Sequence, residues 1–139
     1  MTDVPDDPPS SYSLRRKPLR PQSEFEQSVR RIATTPYPVL LLSAMNVAAL
    51  AKARKAVIGY PTVISCIGHA GIFAASAYAL GTGDTTNGPG LATGWSINWL
   101  IFNARKAVKS KRLVPISMTS LVATIGSIYG FQYFTGGRE

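Results

Sequence analysis

The chain has 139 residues, 45% of them hydrophobic, a single cysteine, and a formal charge of +8 from 15 Lys and Arg against 7 Asp and Glu. Its length suits one domain, and the lone Cys66 excludes an internal disulfide framework and paired CxxC zinc motifs. A basic balance invites nucleic acid as a partner. Here the basic residues flank apolar segments and no nucleic-acid motif accompanies them, so the reading is no nucleic acid and a lipid bilayer with anionic headgroups instead.

Charge is collected rather than scattered. The stretches 56–83, 85–104 and 113–137 contain 28, 20 and 25 residues without an Asp, Glu, Lys or Arg. Each is long enough to cross a hydrocarbon core of roughly 30 Å, which takes about 20 helical residues. The mean hydropathy of +0.08 therefore averages a polar tail over a membrane-like body. The predicted class is all-α: an integral membrane helical bundle of three to four transmembrane helices with a short amphipathic N-terminal helix, the membrane domain occupying 22–139.

Residues 1–21 are rich in Pro, Ser and charge and read as a disordered or surface-lying tail. The opening "MTDVPDDPPSSY" carries three Asp and is neither a signal peptide nor an acid-poor presequence, so no cleavable presequence is expected. Next comes an amphipathic helix over 23–34: Ser23 with Glu26 forms a capping signal, Phe25, Val29 and Ile32 share a face, and Arg30 and Arg31 meet headgroups. Pro36 and Pro38 end it. A first span over about 37–56 is built on a 13-residue apolar run, Val39 to Ala51, with Tyr37 at one interface and Lys52 and Lys55 snorkelling at the other. A partly inserted helix is the alternative.

The second span, about 60–81, has Tyr60 and Pro61 at its entrance and small residues Gly71, Ala75 and Ala79 at four-residue spacing, a stripe that admits another helix. The third, about 90–108, ends in basic residues that suit its carboxyl terminus. The fourth, about 113–134, carries Gly126 and Gly130 in a GxxxG arrangement and closes on Tyr129, Phe131, Tyr133 and Phe134. The loops before the second span and after the third hold eight basic residues, whereas the turn between those spans holds only Asp84. Those basic loops face the compartment that retains positive charge. Four complete spans would put the basic N-terminal region on the opposite side; three would leave it with the basic loops.

"GTGDTTNGPG" at 81–90 has the Gly83 and Gly88 spacing of a phosphate loop, but Pro89 stands where the lysine is required. Asp84, Asn87, Gly88, Pro89 and Gly90 supply turn chemistry instead, and a tight interfacial turn is expected. Cys66 and His69 share a helix face; with no second His or Cys the chain lacks the ligands for a zinc site, and no metal or cofactor is expected. A neutral His69 hydrogen-bonded to a helix neighbour is preferred over a metal or haem bridged between subunits. His69, Asn98 and Asn103 are intramembrane polar candidates, for a polar path or for helix adhesion, as is Asn46. None of the seven acidic residues lies in an apolar segment, and His69 and Asp84 are separated by about 22 Å of helix, so no catalytic residues are assigned and the chain is not read as an enzyme.

"TPYP" at 35–38, "NGPG" at 87–90, Trp95-Ser96, Leu100-Ile101, Arg105-Lys106 and Tyr129-Gly130, in this order and spacing over 28–134, resemble the fungal altered inheritance of mitochondria protein 19 family. Pro89, where a small residue is usual, and a shorter first apolar stretch depart from its pattern. The resemblance implies a small multi-pass mitochondrial protein, placed in the inner membrane, with no catalytic residues to carry over. The resulting expectation is a structural accessory subunit or assembly factor. In it Gly71, Ala75, Ala79, Gly126 and Gly130 dock helices against each other, a mitochondrial membrane complex or a homo-oligomer. The alternative is a small transporter or channel subunit using His69, Asn98 and Asn103.

Overall fold

The computed structural model describes residues 23–136; the tail over 1–21 lies outside the described residues. Five helices follow in chain order: α1 (Glu24–Ala33), α2 (Tyr37–Arg54), α3 (Val63–Gly81), α4 (Asn87–Ser110) and α5 (Leu113–Gly136), with no strand among the described residues.

Helix α1 starts where the capping signal placed it. Ser23 Oγ accepts the Glu26 N–H at 3.2 Å, and Glu24 and Glu26 in the first turn with Arg30 and Arg31 in the last complement the helix dipole. Ala33 is buried while Phe25 and Ile32 stay exposed, so one side of α1 leans on α5 and an apolar edge faces outward. Pro36 and Pro38 then turn the chain by 52° into α2.

Helix α2 buries Val39, Leu42, Asn46, Ala49 and Ala53, a stripe at three- and four-residue spacing. Consecutive helices pack pairwise from α2 to α5, and α2 also touches α5, so four helices close around a core of Leu42, Phe73, Trp99, Val122 and Tyr129. Short loops impose this arrangement. Lys111, at φ 53°, is the left-handed residue at the end of α4, and only Arg112 stands between it and α5.

Two boundaries differ from the sequence-based expectation. Helix α3 begins at Val63, because Thr62 Oγ1 accepts the Ser65 N–H at 3.3 Å and acts as the cap; Tyr60 and Pro61 therefore lie in the preceding loop. Helix α4 begins at Asn87 rather than near 90. Asp84 Oδ1 accepts the backbone N–H groups of Thr86 at 3.1 Å and Asn87 at 2.8 Å, which nucleates the helix early. The turn shrinks to 82–86, and Gly88, Pro89 and Gly90 belong to the first turn of α4. Pro89 is tolerated there because the first N–H groups of a helix have no intrahelical acceptor. Gly88 serves close packing: a Cβ on it would stand 2.6 Å from the Leu80 side chain.

Helices α3 and α5 are each long and apolar enough to cross a membrane, with mean hydropathies of 1.6 and 1.4; the bent pair α1–α2 meets the same measure only when taken together. Helix α4 has the length but not the hydropathy. Its uncharged part carries Thr93, Ser96, Asn98 and Asn103, and its last turns carry Arg105, Lys106 and Lys109. Packed on both α3 and α5, it keeps Ser96, Trp99 and Asn103 inside. Lys106 and Lys109 line a depression with the α2–α3 loop, bringing the basic termini of α2 and α4 together, while Tyr129 reaches Thr35 at the other end.

Candidate functional site

A polar seam runs between α2, α3 and α4. Trp99 Nε1–H donates to Asn46 Oδ1 at 3.2 Å, and Asn46 Nδ2–H donates to the Leu42 carbonyl at 2.9 Å, so a fully buried amide holds α4 to α2. One turn along α4, Asn103 Nδ2–H donates to the Trp99 carbonyl at 3.1 Å and to Ser65 Oγ of α3 at 3.2 Å. His69 Nδ1 lies 2.8 Å from the Ser65 carbonyl, one turn back on its own helix. A carbonyl only accepts, so Nδ1 carries a proton in this contact, and in the Nδ1–H tautomer Nε2 presents a lone pair. Phe73 and Trp95 flank the imidazole, Trp95 edge-on at 5.7 Å and 78°.

His69, Asn98 and Asn103 thus come together on one groove between α3 and α4, of about 360 Å³. Thr62 and Lys106 stand at one end, Ile72 and Trp95 at the other. Cys66 is buried beside His69, and among the described residues no group of three or more His, Cys, Asp or Glu is placed to hold a metal.

The two small-residue stripes sit in opposite settings. Gly126 and Gly130 are buried against α4: a Cβ at Gly126 would meet Ser96 Cβ at 2.5 Å, and one at Gly130 would meet Thr93 Cγ2 at 3.2 Å. They receive α4 and not the stripe on α3. Gly71 and Ala75 are exposed, Ala79 is half-buried, and a Cβ at Gly71 would have no neighbour within 4 Å.

Three further hydroxyls also lock helices. Ser43 Oγ donates to the Ala70 carbonyl at 2.8 Å, Ser76 Oγ to Gly88 at 2.7 Å, and Tyr129 Oη to Thr35 at 2.6 Å. The two serines gave no signal beyond a hydroxyl in an otherwise apolar helix, which satisfies its hydrogen bond as readily on its own preceding turn; Tyr129, expected in the aromatic belt that closes the fourth span, is instead fully buried.

No solved structure matches the chain. A curated relative from Schizosaccharomyces pombe (strain 972 / ATCC 24843), the altered inheritance of mitochondria protein 19 homolog, is 36% identical over 117 residues, covering 84% of this chain and 94% of the relative. The family model described as altered inheritance of mitochondria protein 19 matches residues 32–134, a range that takes in α2, α3, α4, both small-residue stripes and the polar seam. The chain belongs to the altered inheritance of mitochondria protein 19 family.

Proposed function

We propose that the chain is a non-enzymatic, membrane-embedded accessory or assembly factor of a mitochondrial inner-membrane complex. In this reading the outward face of α3 receives a helix of a partner or of a second copy. The observation that carries it is the contrast between the stripes: the α5 glycines are filled by α4, whereas a Cβ at Gly71 would meet nothing within 4 Å and Ala75 is exposed. Small residues bring backbones together in a bilayer, where apolar burial alone gives helices no reason to associate. The mitochondrial address is drawn from the family, and the membrane setting from the hydropathy of α3 and α5. The basic end, with Lys52, Arg54, Lys55 and the cluster from Arg105 to Arg112, faces the matrix by the positive-inside rule and meets anionic headgroups there.

A transport reading draws on the grouping of His69, Asn98 and Asn103. The groove they line lies at the α3–α4 surface, while the centre of the bundle is occupied by Leu42, Phe73, Trp99 and Tyr129, which favours adhesion or binding over conduction. The test is the native mass of the tagged protein in mild-detergent mitochondrial extracts. The accessory reading predicts a particle of fixed stoichiometry that Gly71→Leu disperses; a small particle unchanged by that substitution contradicts it.

A further inference from the structure

Two buried acceptors in the α3–α4 groove lack a donor. His69 is 5% exposed and Asn103 2% exposed, and neither His69 Nε2 nor Asn103 Oδ1 has a hydrogen-bond partner. The rest of each side chain is committed: Nδ1–H to the Ser65 carbonyl, Nδ2–H to Trp99 and Ser65. A lone pair left unpaired in an apolar setting is costly, so unpaired buried acceptors facing a groove signal a missing donor. Asn103 Oδ1 cannot be supplied by His69 Nε2 in this tautomer, since both atoms accept.

We infer that this groove binds a hydroxyl-bearing amphiphile, whose O–H groups donate to His69 Nε2 and Asn103 Oδ1 and whose apolar body lies along Ile64, Gly68, Ile72 and Phe102. The walls fit such a molecule. Ile64 and Phe102 are exposed apolar side chains, Gly68 leaves open space where a Cβ would stand, and Lys106 and Thr62 offer a polar mouth at the basic end of the bundle. A molecule presenting only carbonyl or ether oxygens would set acceptor against acceptor and is rejected, because a site built for a hydroxyl discriminates strongly against an analogue that lacks it. Both protein acceptors lie just beneath the groove surface.

The inference does not depend on the accessory reading, since it concerns the purified chain without a partner. The experiment uses the full-length protein labelled with ¹⁵N-histidine; His69 is the only histidine, so one pair of ring signals reports the site. Two probes, decylhydroquinone and a monoacylglycerol, are compared with their O-methylated ethers. Before addition, Nδ1 should appear protonated and Nε2 bare. Addition of a hydroxylated probe should move the Nε2 signal in the direction of a hydrogen-bonded acceptor, with the matching ether at least tenfold weaker, a difference equivalent to about 1.4 kcal/mol. Which probe binds more tightly assigns the hydroxyl to a ring or to glycerol, and either assignment supports the site. Asn103→Leu should weaken binding about tenfold. Gly68→Leu places a side chain in the groove from a position where a Cβ meets nothing within 4 Å, and should abolish binding while leaving the ring signals in place. Binding of neither probe, equal binding of the ethers, or undiminished binding by Gly68→Leu overturns the inference.

Discussion

The α5 pair Gly126/Gly130 and the α3 stripe Gly71/Ala75/Ala79 look alike in sequence and differ in their surroundings. The α5 pair is an internal seat in which Ser96 and Thr93 of α4 occupy the space that side chains at Gly126 and Gly130 would need. The α3 stripe has open space above Gly71 and exposed methyl groups beside it. Small residues announce close approach, but only the packing of the other helices decides whether the approaching partner belongs to the same chain. A stripe already filled contributes to folding; one left open is, in the proposed reading, free for assembly.

The largest effect follows from closing the internal seat. Gly126→Leu drives a side chain into Ser96 and should destabilise the bundle by about 3 kcal/mol, the upper range for overpacking, read as a lowered midpoint of thermal unfolding in detergent. Next comes the seam. Asn46→Leu leaves the buried Trp99 N–H without an acceptor and should cost about 2 kcal/mol, while Asn46→Gln rescues part of it by keeping an amide oxygen.

A smaller effect concerns the start of α4. The Asn87 backbone N–H, the Asn87 side chain and the Thr86 N–H hold the Asp84 carboxyl below its ordinary range. A carboxyl whose folded pKa is depressed stabilises the fold above its unfolded value of roughly 3.9 and loses that contribution as pH falls through the folded value. Asp84→Ala should therefore lower the unfolding midpoint at neutral pH, and the gap between variant and parent should close below about pH 3.9. The smallest effect on the fold belongs to the open stripe. Gly71→Leu should not destabilise the fold in detergent and should raise stability by at most about 1 kcal/mol, because a Cβ there meets nothing within 4 Å and leucine is the better helix former.

Sequence patterning made the helices legible because their charges gather at segment ends and their caps use side chains that announce themselves, as Ser23 does with Glu26. It misplaced the start of α4. Gly88 and Pro89 have turn chemistry, but Asp84 caps the helix from outside it, and Gly88 is required by Leu80 of a different helix. His69, Asn98 and Asn103 each stood out as polar groups in apolar segments, yet their meeting in one groove depends on the register of α3 against α4, which no single segment encodes. The orphaned Nε2 and Oδ1 were invisible for the same reason, since a hydrogen bond is seen to be missing only once every neighbour is placed.

The contrast between the stripes is tested most directly by photo-crosslinking in intact mitochondria, with benzoylphenylalanine placed at Ala75 on the open α3 face and, in a second variant, at exposed Thr124 on α5. The account predicts a protein adduct of one defined mass from position 75, whether a partner or a second copy, and none from position 124. No protein adduct at 75, or the same adducts from both positions, would contradict it.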